Sequence, residues 1–462
     1  MATDAQATGQ IVRNTSNRNE FLRKEDWWAV WLGLGLTVAA VLLYMQGASI
    51  KWLAVTPRKW SNLSESLADL RSNAPRYLAL FVLWATLLGT GARALGWRLR
   101  EFLPSFIFLY VLSLLIFTLG QWSQADHYNL EPPLVALLLG LLISNTSLLP
   151  RWMDAGFRVE YYVKTGIVLL GATLPFTLII WAGPIAILQA SIVSLVTFGV
   201  IYFVGVKLGL DRRLAATLGA GGAICGVSGS IAIAGAVGAR KQDAPVAITL
   251  VIFWAIIMIF VLPLVCRALG LPTGVAGAWI GTSEFADAAG LAAAQAYGGY
   301  AGHVPQVTGS ADAAITSFTL MKVVGRDVWI GIWAFILSIV ATTRWEATPV
   351  DRKPDAGEIW RRFPKFVVGF LLASLIITFV TASATYAQFK SSFTPDLVGP
   401  IKNFRTWAFI FCFLSIGLTT RLRELATAGW KPFWAFSSGV AVNVVLGFVL
   451  SVWVFYGYWS HL

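Results

Sequence analysis

The side chains of this 462-residue sequence that could do chemistry sit in apolar surroundings. Glu284 and Asp287 are three residues apart in WIGTSEFADAAGLAAAQAYGG, within an alanine- and glycine-rich run from Gly274 to Tyr300. A carboxylate at membrane depth costs about 2.5 to 3.5 kcal/mol on insertion scales, so it is retained where it has a task. The spacing predicts both acids on one helical face, as carriers of a proton or a sodium ion. Thr282 and Ser283 would be neutral hydrogen-bond donors to a substrate. The alternative is an extramembrane helix with solvated acids.

Lys322 and Arg326 follow, four residues apart in an apolar run from Ala313 to Val340, with Asp327 adjoining. Two cations one turn apart repel unless something negative lies beside them. An anionic substrate, Asp327 or a carboxylate of the preceding segment would supply it. The alternative is that both snorkel to a membrane face. Asn145 and Thr146, ending a short apolar run, are further polar candidates for contact with substrate.

The stretch from Asp211 to Lys241, DRRLAATLGAGGAICGVSGSIAIAGAVGARK, is the element that must position these groups. From Leu214 to Ala239 it carries no charge and no proline, yet Gly219, Gly221, Gly222, Gly226, Gly229, Gly235 and Gly238 would gain little from facing lipid. Each glycine costs a helix about 1 kcal/mol relative to alanine. We therefore expect a buried helix, broken near Cys225 to Ser230, with Gly226, Ser228, Gly229 and Ser230 lining a substrate site. Freed backbone groups are tolerated at membrane depth only where the chain is buried or lines a cavity. The alternative is plain helix packing through the small-xxx-small pair Gly222 and Gly226.

No other constellation is legible. A Walker loop is missing from the sequence, so no ATP site is recognisable. Cys225, Cys266 and Cys412 have neither disulfide nor zinc spacing and read as small buried residues. His127, His303 and His461 stand alone near span ends. No nucleophile is paired with a base, and the sequence predicts neither an enzyme nor a cofactor.

Composition sets the class. With 57% hydrophobic and 13% charged residues, and a mean hydropathy of +0.70, the chain is expected to be an all-α polytopic membrane protein in a lipid bilayer. Soluble domains carry about a quarter charged residues. The net charge of +12 gathers in short loops, where Lys and Arg set orientation, so it does not point to nucleic acid.

Residues 1 to 26 are expected to be a disordered cytoplasmic tail, 27 to 129 N-terminal accessory helices, 130 to 456 the core, and 457 to 462 a short tail. Leu63, Leu67 and Leu70 predict a surface helix. Spans are expected at 27 to 44, 77 to 95, 102 to 121, 134 to 149, 162 to 180 and 184 to 206. The glycine-rich segment follows, then 246 to 269, 275 to 298, 312 to 341, 365 to 385, 404 to 420 and 433 to 456. The count is eleven to thirteen.

An N-terminus inside the cell places Arg93, Arg98, Arg100, Arg151, Arg158 and Lys164 inside. It does the same for Lys207, Arg212, Arg213, Arg344 to Lys365 and Arg421 to Lys431. Loops 122 to 133 and 299 to 311 hold no Lys or Arg. The basic residues of 51 to 76, and Arg240 with Lys241, resist the pattern. Gly171-Ala-Thr-Leu with Gly183 echoes Gly417-Leu-Thr-Thr with Gly429, in opposite directions through the membrane, as inverted repeats would.

These motifs resemble a family. LLLGLLISNT (137 to 146), VKTGIVLLGATLPF (163 to 176), GLDRRLAATLGAGGAICGVSGSIAIAGAV (209 to 237), GTS (281 to 283), the Lys322 neighbourhood and FLSIGLTTRLRELATAGWKP (413 to 432) are similar to the sulfate exporter family of bacterial inner-membrane proteins. The resemblance covers about residues 130 to 456. It implies a fold like the sodium/proton antiporters and bile-acid symporters, with inverted repeats, crossed broken helices and alternating access. Its implied substrates are sulfate or related sulfur oxyanions.

Three departures stand out: Val227-Ser-Gly-Ser after the Cys-Gly pair, Glu284-Phe-Ala-Asp287 where the family has a His-acid pair, and an arginine one position late, with Gly325 inserted. The expected function is an ion-coupled secondary transporter of sulfate, sulfite or an organic sulfonate, exporting it. Lys322 and Arg326 would fix the anion, and Glu284 or Asp287 would carry the coupling cation. A passive anion channel, or a carrier of another small organic anion, is the alternative. A homodimer is left open.

Overall fold

A computed structural model describes residues 20–125, 132–146, 149–174, 176–240, 242–345, 363–382, 389–421 and 429–462. Among them every regular element is helical, apart from one isolated bridge between Trp60 and Trp122. Seven helices are long and apolar enough to cross a bilayer, and four shorter apolar helices accompany them. The chain is thus an all-α, multi-pass membrane protein. His127, Lys241 and the basic residues within 346–362 and 422–428 lie outside the described residues.

The N-terminal part comprises α1 (Glu20–Arg23), α2 (Glu25–Met45), α3 (Leu63–Ser72), α4 (Ala74–Ala94) and α5 (Leu99–Gly120). The surface helix is α3. Its start is fixed by a capping box between Asn62 and Glu65, and its Leu63 and Leu67 remain exposed. Then come α6 (Pro132–Asn145), α7 (Val159–Gly171), α8 (Phe176–Lys207), α9 (Arg212–Ala223), α10 (Val227–Ala236), α11 (Asp243–Ala268), α12 (Thr273–Ser283), α13 (Asp287–Gly299), α14 (Ala311–Thr319) and α15 (Trp329–Val340). The last elements are α16 (Lys365–Thr381), α17 (Gly399–Thr419), α18 (Trp430–Phe448) and α19 (Tyr456–Trp459).

The helices sort into two packed groups. In one, α2, α6, α7, α16 and α17 lie against each other; in the other, α8 to α14 pack with α18. The groups meet where α13 faces α6, α7 and α17. Glycines set the closest crossings of the first group. A Cβ on Gly140 of α6 would fall 2.8 Å from the Gly417 Cα of α17, and one on Gly33 of α2 would fall 2.5 Å from the Val168 Cβ of α7.

Three boundaries differ from the sequence reading. The break expected near 181 to 183 lies instead between Gly171 and Phe176, and α8 runs unbroken for 32 residues through Pro184. The sequence supplies the reason: Pro175 has no N–H to continue a helix. Thr378 on α16 accepts the freed amide of Phe176 at 2.8 Å.

The expected tail ends earlier. Residues 20–23 and 25–26 are helical, and Asp26 accepts a hydrogen bond from Lys164 at 2.7 Å. Lys164, read as a loop cation, is buried in α7 and also faces Glu25 and Glu160. Nor is the C-terminus a free tail. Trp459 is fully buried and its indole donates to the Gln189 side chain at 2.9 Å, the polar partner a buried tryptophan requires.

Candidate functional site at two crossing helix breaks

The glycine-rich segment is buried and interrupted. The Asp211 side chain caps α9 by accepting the Arg213 amide at 2.9 Å. The helix then ends at Ala223, and Ile224 leaves helical geometry with φ −113° and ψ −99°. Gly226 takes φ 71° and ψ −111°, which an L side chain rarely adopts, and α10 starts at the next residue. The break therefore spans 224 to 226, at the front of the expected window.

A second break interrupts the run from Gly274 to Tyr300. Glu284 and Ala286 are extended, with ψ near 136° and 134°, between α12 and α13. Glu284 Oε1 accepts the amides of Phe285 at 3.0 Å and Ala286 at 3.3 Å, occupying donors that an intact helix would have used. Glu284 ends one half-helix and Asp287 begins the next, so the two acids do not share a helical face as the spacing predicted. The two breaks touch: a Cβ on Gly226 would come within 2.7 Å of the Phe285 carbonyl oxygen.

The cations hold this crossing. Lys322 and Arg326 lie in a π-helical stretch, Leu320–Arg326, between α14 and α15. A π turn accommodates one extra residue in a helix, which matches the Gly325 insertion. Gly325 also permits close approach to α8, where a Cβ would lie 2.8 Å from Ala190 Cβ and 2.9 Å from the Ala186 carbonyl oxygen.

Both cations are fully buried. Lys322 donates to the carbonyls of Glu284 at 2.9 Å, Phe285 at 3.0 Å and Ile224 at 3.3 Å, and faces Asp287 Oδ1 at 3.6 Å. Arg326 donates to the carbonyls of Thr282 at 2.5 Å, Gly222 at 3.0 Å, Glu284 at 3.3 Å and Gly281 at 3.4 Å. The last carbonyls of a helix lack intrahelical partners and carry roughly half a negative charge. Lys322 and Arg326 neutralise the C-terminal ends of α9 and α12 together. Neither snorkels to a membrane face.

The opposite ends of the breaks line a cavity of about 210 Å³. Val227 opens α10 there, Ala286 caps α13, and Ala288 and Ala289 belong to its first turn. Ile252, Ala255 and Ile256 of α11 form an apolar wall. Leu137, Glu160, Thr419 and Thr420, from α6, α7 and the end of α17, close the other side. The cavity thus sits between the two packed groups.

The other expected site residues divide. Ser228 reaches Glu160 Oε2 at 3.5 Å, beside the cavity. Gly229 lies over the Ala220 carbonyl of α9. The Ser230 and Ser283 hydroxyls are buried without a hydrogen-bond partner. Thr282 bonds back to the Trp279 carbonyl at 2.8 Å, and Thr282 and Ser283 pack against Gly447 of α18. Asn145 donates to the Thr420 carbonyl at 3.0 Å, whereas Thr146 bonds to Ile143 of its own helix; both are exposed.

Glu160, Thr419 and Thr420 were not singled out from sequence. The Glu160–Lys164 pair at i,i+4 spacing was the available signal. The three cysteines are free and buried, as read.

Fold and site together define a multi-pass helical membrane protein built around two crossing interrupted helices. Residues 104–435 match the family described as conserved hypothetical protein 698, and the chain belongs to that family. A UPF0324 membrane protein of Rhodopirellula baltica is 31% identical over 421 residues, covering 89% of this chain and 73% of the relative. Another from Nitratidesulfovibrio vulgaris is 31% identical, covering 82% of this chain and 63% of the relative. One from Nitrosomonas europaea is 28% identical, covering 88% and 90%. These names carry no substrate. No solved structure matches the chain.

Proposed function

We propose that the protein is a secondary transporter that carries a small anion across a bacterial inner membrane by alternating access, with its N-terminus in the cytoplasm. The observation that carries this reading is the contact of the two breaks at Gly226 and Phe285, beside a cavity at the boundary between two helix groups. Unwound backbone at membrane depth is tolerated only where it is buried in protein or lines a cavity.

The geometry favours a different anion anchor from the one expected. Lys322 and Arg326 already make seven contacts to backbone carbonyls that tie the breaks together, leaving the Arg326 Nε–H without a partner. At the start of α10 and α13, amides 227–229 and 287–289 precede the first intrahelical bonds, made by Ser230 and Gly290. The ends of α10 and α13 each supply roughly half a positive charge toward the cavity, which suits an anion. The cavity is several times the ~30 Å³ that one water occupies in the liquid, and its apolar walls suit the hydrocarbon part of an organic sulfonate, with the charged group at the helix ends. A buried acid of the crossing carries the coupling ion.

Thermal unfolding of the detergent-purified protein against sulfate, sulfite, methanesulfonate, phosphate and chloride tests this reading. Stabilisation by at least one oxyanion and not by chloride supports it. Equal response to every salt removes the site.

A further inference from the structure

We infer that Asp327 holds a proton in the structure described here and is the residue that loads and releases the coupling proton. Asp327 follows Arg326 at the end of the π-helical stretch and is fully buried. Neither of its carboxylate oxygens has a hydrogen-bond partner. An ionised carboxylate cannot persist dry with both oxygens bare, because removing it from water without donors costs far more than a neutral acid does.

Charge balance points the same way. The crossing gathers two cations, Lys322 and Arg326, and three acids, Glu284, Asp287 and Asp327. With all ionised it would carry one excess negative charge, which one proton removes.

The other two acids are better served. Glu284 has one oxygen held by two amides, and Asp287 faces the Lys322 ammonium at 3.6 Å. Asp327 is the acid with no hydrogen bond to either oxygen. The charged or titratable groups that interact with it electrostatically are Asp287 on α13, Glu160 on α7, Cys225 in the first break, and Lys322 and Arg326 on its own element. The occupant we assign is a proton, because both oxygens of Asp327 are buried and without a hydrogen-bond partner. Binding converts the carboxylate to the acid and release returns it, with no other bond changed. Each step shifts the crossing by one charge against Lys322 and Arg326, which clamp both breaks.

Protonation stands apart from the transporter reading; the coupling role rests on it. Infrared difference spectra of the purified full chain, recorded across pH, should show the C=O stretch of a protonated carboxylic acid at neutral pH and its loss as pH rises. Glu284→Gln and Asp287→Asn should keep that band, Asp327→Asn should lose it, and Asp327→Glu should shift it. The wild-type titration with the Glu284→Gln and Asp287→Asn arms decides the matter even if Asp327→Asn fails to fold. Absence of the band in wild type at neutral pH, its loss in Glu284→Gln or Asp287→Asn, its persistence in Asp327→Asn, or its removal by sodium chloride but not choline chloride would each overturn the assignment.

In proteoliposomes, the ratio of labelled sulfate uptake with and without an imposed pH gradient should exceed one for wild type and fall to one for Asp327→Asn. An equal ratio in both overturns the coupling role. Failure of the wild type to move any oxyanion instead removes the transporter reading and leaves the infrared result standing.

Discussion

The Gly226 backbone passes so close to Phe285 that a single added methyl group would sit 2.7 Å from the Phe285 carbonyl oxygen, while Gly226 itself holds φ 71°. Two independent helix interruptions are thereby locked to one another at a point where no side chain fits. Around it, Lys322 and Arg326 gather carbonyls from both breaks. Disturbing the contact should unsettle both half-helix pairs at once.

Gly226→Ala combines a strained backbone conformation with a steric clash and should cost about 2 kcal/mol or more. Gly222→Ala is the control. Its added methyl meets the flexible ends of Ile201 and Phe436, so a smaller loss is expected. Thermal unfolding in detergent compares them, and equal losses would deny the crossing its special status.

Removing the Lys322 ammonium strands three carbonyls and Asp287. Lys322→Met should cost about 3 to 5 kcal/mol, the range for breaking a buried pair from one side. Adding Asp287→Asn should recover part of that loss in a double-mutant cycle. Lys322→Met with wild-type stability would mean that the ammonium holds nothing in place.

The α6–α17 crossing, which carries the far wall of the cavity, offers a test away from the two breaks. The Gly417 backbone lies against Leu137, Gly140 and Leu141, so Gly417→Val overpacks the contact and should cost about 1 to 3 kcal/mol. Gly35 has open space around its Cβ position, and Gly35→Ala should be tolerated.

Much of the helical frame was legible because long apolar runs obey simple rules. The glycines between Leu214 and Ala239 announced the first break within a residue or two. The second was hidden because no glycine marks it: Glu284 makes it by turning its own carboxylate onto the next two amides, an interaction that spacing does not reveal. Lys322 and Arg326 were found as a pair, but their partners are backbone carbonyls from segments 37 to 104 residues away in the chain. No periodicity encodes such contacts. Glu160 carried no signal beyond its i,i+4 spacing to Lys164, and only the packing of α7 against α13, with Ser228 of α10 at 3.5 Å, puts it at the cavity.

Orientation is open to direct labelling. With Cys225, Cys266 and Cys412 replaced, single cysteines at Arg98 and at His303, both exposed, should react with impermeant reagents from opposite faces. Arg98 is expected on the cytoplasmic side. Reaction from the same face would overturn the proposed topology.

The most direct test of the central claim is counterflow in proteoliposomes. Vesicles preloaded with unlabelled sulfate, sulfite or methanesulfonate and diluted into a trace of the same labelled anion should accumulate label transiently above equilibrium, because an alternating-access site returns loaded faster than empty. Accumulation should saturate with anion concentration and disappear in Gly226→Leu. Label that merely equilibrates, without saturation or overshoot for any of the three anions, would show a passive pathway or none and would contradict the account.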